Sequence, residues 1–404
     1  MRFLDAEGTT LDHGLVLYFP APASFTGEHV LELQGHGGVL VLDLLLNRLF
    51  ELGCRPARPG EFSERAFLNG KINVTQAEAV ADLIDAGTAA AARAAVRSMQ
   101  GDFSARIHAL QLQLTELRTR VEAAIDFPDE EVDALPAFVL RERLSQVFAA
   151  FVAIEAAARQ GALLRDGFHV VIAGRPNAGK SSLLNRLVGD DVAIVTALPG
   201  TTRDLLRQHV QLDGMPLYLV DTAGLRTAAD VVEEEGIRRA RAEMQRADRI
   251  LFVIDGSLSD APDAAALAAE LAQLPRDIPL TLLVNKIDLT GASPRLEERA
   301  GMTHIYLSAS SGAGLELLRE HLKHSAGFRD SPSGALSARR RHLVALELAH
   351  RLVQDAADAL EQSRAAELIA EDLRLAQQAL GEITGEFTSD DLLGEIFSSF
   401  CIGK

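Results

Sequence analysis

Gly174-Arg-Pro-Asn-Ala-Gly-Lys-Ser181 decides how this chain is read. It is a complete G-x-x-x-x-G-K-S phosphate loop. The apolar run Phe168-His-Val-Val-Ile-Ala173 precedes it, and Ser182-Leu-Leu-Asn-Arg-Leu187, at helical spacing, follows. That context matters because the loop works only between a buried strand and a helix N-terminus. Backbone N–H groups there converge on phosphate oxygens, and the helix dipole favours their negative charge. Lys180 is expected to reach the β- and γ-phosphates, and the Ser181 hydroxyl to hold Mg²⁺. A glycine-rich turn without a ligand would tolerate other residues at both positions.

Outward from the loop, residues 167–327 alternate apolar runs with helical segments, which predicts a parallel sheet with crossover helices. The runs are Val170–Ala173, Leu217–Val220, Ile250–Ile254, Leu280–Val284 and Ile305–Leu307. Residues 1–70 instead mix short apolar runs with turn signals such as Gly35-His-Gly-Gly38, the pattern of a small α+β unit. From Thr75 to Arg165 the chain is rich in Ala and Leu, with apolar residues at helical spacing interrupted only by Pro128 and Pro136. Helical periodicity returns after Ser331-Pro-Ser-Gly334. The expected architecture is multidomain α/β plus all-α. An α+β domain spans 1–70, a helical domain is split between 71–165 and 329–404, and the α/β nucleotide domain at 166–328 is inserted in it. Insertion is easy where a domain's termini lie close together.

Composition narrows the partners. A formal net charge of −17 argues against nucleic-acid binding over the whole surface, and no Trp and three Tyr leave few stacking platforms. Two cysteines, Cys54 and Cys401, cannot form a disulfide framework, so a reducing, cytoplasmic setting is expected. No stretch reads as long and apolar enough to span a membrane, and no signal-peptide layout opens the chain.

Further motifs follow the loop in order. Asp221-Thr-Ala-Gly224 ends a strand, so Asp221 can hold Mg²⁺ through water and the Gly224 N–H can meet the γ-phosphate. Asn285-Lys-Ile-Asp288 ends another, and the Asp288 carboxylate can accept two hydrogen bonds from guanine where adenine offers no such pair. Ser308-Ala-Ser310 could aim a backbone N–H at the guanine O6. Together, each at a strand end, they predict a GTP site at the carboxyl edge of the sheet. Between loop and strand, Thr202 within Thr196-Ala-Leu-Pro-Gly-Thr-Thr-Arg-Asp204 is the residue expected to cover Mg²⁺ and the γ-phosphate. The expected nucleotide contacts are therefore Asn177, Ala178, Gly179, Lys180, Ser181 and Ser182, then Thr196, Thr201 and Thr202. Asp221, Thr222, Ala223, Gly224, Asn285, Lys286, Asp288, Ser308 and Ala309 complete them.

Catalysis departs from the common pattern. Many GTPases place a water-orienting Gln after the D-x-x-G glycine, but here that residue is Leu225, which has no hydrogen-bonding atom. A carboxylate from Val231-Val-Glu-Glu-Glu235 could position the water, or these Glu could simply complement a helix dipole.

These residues resemble the MnmE (TrmE) family, tRNA-modifying GTPases of bacteria and organelles. The likeness extends over nearly the whole chain. It includes Phe25-Thr-Gly-Glu-His-Val-Leu-Glu-Leu-Gln-Gly-His-Gly-Gly38, Ala57-Arg-Pro-Gly-Glu-Phe-Ser-Glu-Arg-Ala-Phe-Leu68, Phe127-Pro-Asp-Glu-Glu131, Gly200-Thr-Thr-Arg-Asp204 and Phe400-Cys-Ile-Gly-Lys404. The resemblance implies K⁺-dependent GTP hydrolysis with pairing of two G domains. The K⁺ ligands would fall on Asn177, Thr196, Leu198 and Thr201, and the water-orienting glutamate on Glu233. It also implies binding of a reduced folate (5-formyl- or methylene-tetrahydrofolate) through Glu32, Lys71 and the terminal Lys404, with Cys401 near the one-carbon unit. The implied partners are tRNA, a second copy in a homodimer, and an MnmG-type FAD protein in a heterotetramer that modifies C5 of the wobble uridine. Arg339-Arg-Arg341 could touch tRNA phosphates or merely open a polar helix. Family members begin with an additional segment, and Met1 aligns inside the N-terminal domain. Strands and dimer contacts of that domain are therefore expected to be missing. The rival reading is a regulatory or ribosome-assembly GTPase with no modification reaction of its own.

Overall fold

The computed structural model describes residues 1–126, 137–189, 207–221, 242–257, 264–329, 334–362, 366–386 and 396. They fall into two compact units, one of residues 1–85, 95–155 and 339–404, the other of 86–94 and 156–338.

The first unit opens with two antiparallel pairs. β1 (Arg2–Leu4) pairs with β2 (Thr10–His13), and β3 (Leu15–Phe19) with β4 (Val30–Gln34). Helices α1 (Val39–Glu51) and α2 (Glu61–Leu68) follow. Next comes α3 (Val74–Ile84), which is started by a capping box. The Asn73 side chain accepts from the Gln76 N–H at 2.9 Å, and the Gln76 side chain accepts from the Asn73 N–H at 3.0 Å.

After α4 (Ala89–Met99), α5 (Asp102–Asp126) buries Phe103, Ile107, Leu110, Leu114, Leu117 and Val121, spaced by three or four residues. That single stripe packs an amphipathic helix on its neighbours. α6 (Ala137–Asp166) corrects an expectation, because its segment Val139–Asp166 is long and apolar enough to cross a membrane by length and composition. Its Leu144, Val147, Phe151, Ile154 and Ala158 form one buried stripe at the same spacing, the mark of a core helix. Much of its apolarity comes from Ala, which adds little bulk.

The second unit carries a seven-stranded sheet. Its strands are β5 (Phe168–Gly174), β6 (Arg207–Leu212), β7 (Met215–Asp221), β8 (Arg249–Asp255), β9 (Leu280–Asn285), β10 (Arg295–Arg299) and β11 (Met302–Tyr306). The order is β10-β11-β9-β8-β5-β7-β6. The five central strands run parallel, and both edge strands are antiparallel to their neighbours. The parallel sheet expected from periodicity forms the centre, and each edge gains one antiparallel strand. The cause is local. Asp213-Gly214 joins β6 to β7 and Ala300-Gly301 joins β10 to β11, all four residues at positive φ. Two such residues form a tight hairpin, with no room for a crossover helix. The central strands are apolar on both faces (Val170, Val171 and Ile172 on β5, Leu282 and Leu283 on β9) because the sheet is covered on both sides. Helices α7 (Lys180–Gly189), α8 (Ala264–Leu271), the short α9 (Ile287–Thr290) and α10 (Leu315–Ser325) accompany it.

The chain then returns to the first unit. α11 (Arg340–Glu361) packs on α12 (Ala366–Thr384), and α12 packs on α5. Buried Ala349, Ala356, Ala376 and Ala379 let α11 and α12 approach closely. Phe151 of α6 stacks on His350 of α11, with centroids 4.9 Å apart. The α/β domain is inserted in a helical domain that the two flanking stretches build together.

Candidate nucleotide site and the N-terminal domain

The phosphate loop links β5 to α7 at the carboxyl edge of the sheet. Gly174 has φ +136°, and a Cβ there would strike the Val253 carbonyl oxygen of β8. Asn177 holds a left-handed conformation at φ 61°, which Asn tolerates better than most residues. The ammonium of buried Lys180 donates to the carbonyls of Gly174 (3.0 Å) and Arg175 (2.7 Å). It is therefore held against its own loop. Ser181 Oγ donates to Asp221 Oδ2 across 3.2 Å, joining the loop to the end of β7. A hydroxyl and a carboxylate side by side are hard oxygen donors of the kind Mg²⁺ takes.

Asn285 organises the base side. It is 2% exposed; its Nδ2 donates to the Ala178 carbonyl at 2.8 Å and its Oδ1 accepts from the Ala309 N–H at 2.9 Å. One amide thus ties the phosphate loop to the segment after β11. Gly179, at φ +97°, has no room for a Cβ, which would collide with that same amide. Lys286, at φ 66°, turns the chain into α9 and donates to Asp255 Oδ2 at 2.5 Å. Burial would raise the Asp255 carboxyl, but hydrogen bonds from Lys286 and from the Ser257 hydroxyl and N–H hold it below its ordinary range. Asp288 is exposed and accepts from Ser310 Oγ at 3.4 Å. Buried Ser308 accepts from the Ser311 N–H at 3.2 Å, which shapes the turn that carries Ala309.

Of the expected nucleotide residues, Asn177 to Ser181, Asp221, Asn285, Lys286, Asp288, Ser308 and Ala309 all lie along this edge, on strand ends, on the turns after them or in the first turn of the helix that follows. Ser182 continues α7, with its side chain exposed. Thr196, Leu198, Thr201, Thr202, Thr222, Ala223, Gly224, Leu225 and Glu233 lie outside the described residues, as do Cys401 and Lys404. The sequence reading missed Asp255 as the partner of Lys286, and missed the Arg175–Glu270 ion pair (2.6 Å) that anchors the loop to α8. The available signal for Asp255 was its position ending an apolar strand run.

In the N-terminal domain, Glu32 is exposed on β4 and accepts from Gln34 Nε2 at 3.4 Å, while exposed Lys71 donates to the Pro22 carbonyl at 3.1 Å. No hydrogen bond or ion pair links the two. A cleft of about 250 Å³ opens beside β4 and α2, lined by Thr26, Glu28, Leu31, Arg55, Glu61 and Arg65 among others. Buried Glu61 is gripped by Arg55, the Arg58 N–H and Arg65, and these bonds pull its carboxyl down to about 2.

Two of the three arginines in Arg339–Arg341 are occupied within the helical domain. Arg341 grips buried Glu78 with two nitrogens (3.0 and 2.9 Å), and Arg339 pairs with Asp82 at 3.1 Å. Burial would raise the Glu78 carboxyl, but His342 and Arg341 hold it well below the carboxylate range. The run therefore staples α11 to α3, and only Arg340 is left exposed.

Residues 74–401 match the family model of the MnmE helical domain, and residues 1–71 that of the GTP-binding protein TrmE N-terminus. The chain is 59% identical over 406 aligned positions to the tRNA modification GTPase MnmE of Yersinia pseudotuberculosis serotype IB, covering all of this chain and 89% of that protein. It is 58% identical to its namesake in Yersinia pestis, with the same coverage. Among solved structures, the G domain of the T. maritima FeoB iron transporter aligns at 25% identity, covering 39% of this chain and 98% of that one, with a TM-score of 0.29. The chain belongs to the MnmE (TrmE) family of tRNA modification GTPases.

Proposed function

We propose that this GTPase couples K⁺-dependent GTP hydrolysis to modification of tRNA at C5 of the wobble uridine, in the cytoplasm. A reduced folate would donate the one-carbon unit, and an MnmG-type FAD protein would complete a heterotetramer with a homodimer of this chain. The observation that carries the reading is Asn177. It is a left-handed, exposed residue with a side-chain oxygen, directly in the phosphate loop. A monovalent cation held there with Thr196, Leu198 and Thr201 would supply the positive charge that an arginine finger supplies in other GTPases.

The chain's own residues divide the work. Lys180 and the loop N–H groups bind the phosphates, and Ser181, Asp221 and Thr202 would hold Mg²⁺. Asp288 selects guanine, and Asn285 keeps the loops that carry these groups in register. Glu233 orients the attacking water in place of the missing Gln. Glu32 suits the paired N–H donors of a pterin, and Lys71 and Lys404 suit a folate carboxylate tail. Cys401 would lie near the one-carbon unit.

Nucleoside analysis of tRNA from cells lacking this protein tests the reading. Loss of the wobble modification, restored by the wild-type chain but not by Glu233→Ala, is expected. Unchanged wobble uridines would favour a regulatory or ribosome-assembly GTPase instead. In vitro, Glu233→Ala should bind GTP normally yet hydrolyse it about 10²- to 10³-fold more slowly in K⁺. Near-normal turnover would remove Glu233 from the mechanism.

A further inference from the structure

The turn after β9 contains a residue in a strained backbone shape. Lys286 has φ 66°, in the left-handed region that Gly and Asn occupy with less strain. What distinguishes the position is therefore its long charged side chain. Asn285 before it bridges Ala178 and Ala309, and Asp288 two residues on is exposed.

The Lys286 ammonium is turned to the neighbouring strand, where it donates to Asp255 Oδ2 at 2.5 Å, at the end of β8. Asp255 faces Asn285 in the register of β8 and β9. The Gly256 N–H donates to the Asn285 carbonyl at 2.8 Å, which carries the pairing one residue beyond the strand. A Cβ on Gly256 would lie 2.9 Å from that carbonyl oxygen, so glycine lets the two chains approach. The other carboxylate oxygen, Asp255 Oδ1, accepts from the Ser257 N–H (2.9 Å) and hydroxyl (2.6 Å). Both oxygens of Asp255 are thus engaged by the protein itself.

Stability does not explain the pair. The Lys286 side chain is 30% exposed, and a partly exposed ion pair adds little to folding while it costs the entropy of a four-carbon stem. What the pair fixes is direction. The Lys286 backbone is held through Asn285 and its ammonium through Asp255, so the stem is restrained at both ends. A restrained methylene stem with a cation at its tip is a surface on which a flat purine packs. Ordering it in advance removes a cost that binding would otherwise carry.

We infer that Asp255 is a positioning residue for guanine nucleotides, acting through Lys286 to set how long GTP and GDP stay bound. This rests on the nucleotide reading above. The whole effect of Asp255 passes through the Lys286 ammonium.

The test uses the full chain, comparing wild type, Asp255→Asn, Lys286→Met and the double variant. Release of a fluorescent GDP analogue is followed by stopped flow. Asn keeps one carbonyl oxygen for the Ser257 donors and turns an amide N–H towards the ammonium, so the bond to Lys286 is what it loses. Release should quicken about tenfold in each single variant, the size expected for loss of a charged hydrogen bond. The double variant should release GDP no more than about twofold faster than Lys286→Met, since a residue that acts through Lys286 then has nothing to act on. GTP turnover in Asp255→Asn should show the loss in KM rather than kcat, and urea unfolding should keep its midpoint. Unchanged release in Asp255→Asn would overturn the inference. So would effects that multiply to about a hundredfold in the double variant, or an unfolding midpoint that falls in step with faster release. If the wild type binds no guanine nucleotide, the nucleotide reading itself fails, and this inference with it.

Discussion

Asn285 in the nucleotide domain is buried and bonded to two loops, whereas Glu32 and Lys71 in the N-terminal domain are exposed, Glu32 bonded to Gln34 and Lys71 to the Pro22 carbonyl. The first site is held together by the protein itself. The second offers charges on a surface, each free to answer to a ligand. Substitutions should therefore behave differently in the two places. In the nucleotide site, stability and affinity fall together, because the groups that bind also build the fold. In the N-terminal domain they should separate.

The largest effect is expected from Asn285→Ala. It strands the Ala178 carbonyl and the Ala309 N–H, each worth about 1–3 kcal/mol when buried without a partner. Denaturant unfolding should show a loss of about 3 kcal/mol, and fluorescent-nucleotide titration a GTP affinity reduced at least about a hundredfold. Gly179→Ala comes next. It forces φ +97° on a residue with a Cβ and drives that Cβ into the Asn285 amide, so it should cost about 1–3 kcal/mol and weaken GTP about tenfold or more. Retention of wild-type affinity in either variant would mean that the loops assemble without their staple.

A smaller effect concerns pH. His321 on α10 accepts from Arg249 (3.3 Å) and contacts the Thr281 hydroxyl (2.8 Å). Burial, then the nearby Arg249 charge, pushes its imidazole down to about 4 from 6.5. The unfolded chain thus takes up a proton at higher pH than the folded one. The stabilisation is complete above pH 6.5 and is lost as pH falls towards 4. Melting curves of the wild type should drop by about 1–2 kcal/mol across that window, and His321→Asn should flatten this part of the profile. The smallest stability effects belong to Glu32→Gln and Lys71→Ala, within about 0.5 kcal/mol. Both should nonetheless lower folate affinity by about tenfold, read by calorimetry. Large destabilisation by either would erase the contrast between the two domains.

The sequence disclosed the parts of this molecule whose reasons are local. The phosphate loop, the five central strands and the strand-end motifs were legible because each obeys a short spacing rule. The edge strands were less visible. Arg295-Leu-Glu-Glu-Arg299 has one apolar residue and Arg207-Gln-His-Val-Gln-Leu212 only two, so neither forms an apolar run. The contacts that finish the site were not legible at all. Asn285 meets Ala178 across 107 positions, and Arg341 meets Glu78 across 263. No periodicity records a pairing between distant residues. The arginine run illustrates the cost, since a stretch that looked like a basic patch is mostly committed to buried carboxylates.

Amide hydrogen exchange in the nucleotide-free protein tests the contrast most directly. The Ala309 N–H, bonded to Asn285, should be protected nearly as well as the β9 core and change little when GDP is added. Residues 30–36 and Lys71 should gain protection only when folate is added. Rapid exchange at Ala309 that GDP alone suppresses would contradict it, because the ligand rather than the fold would then be assembling the guanine side of the site.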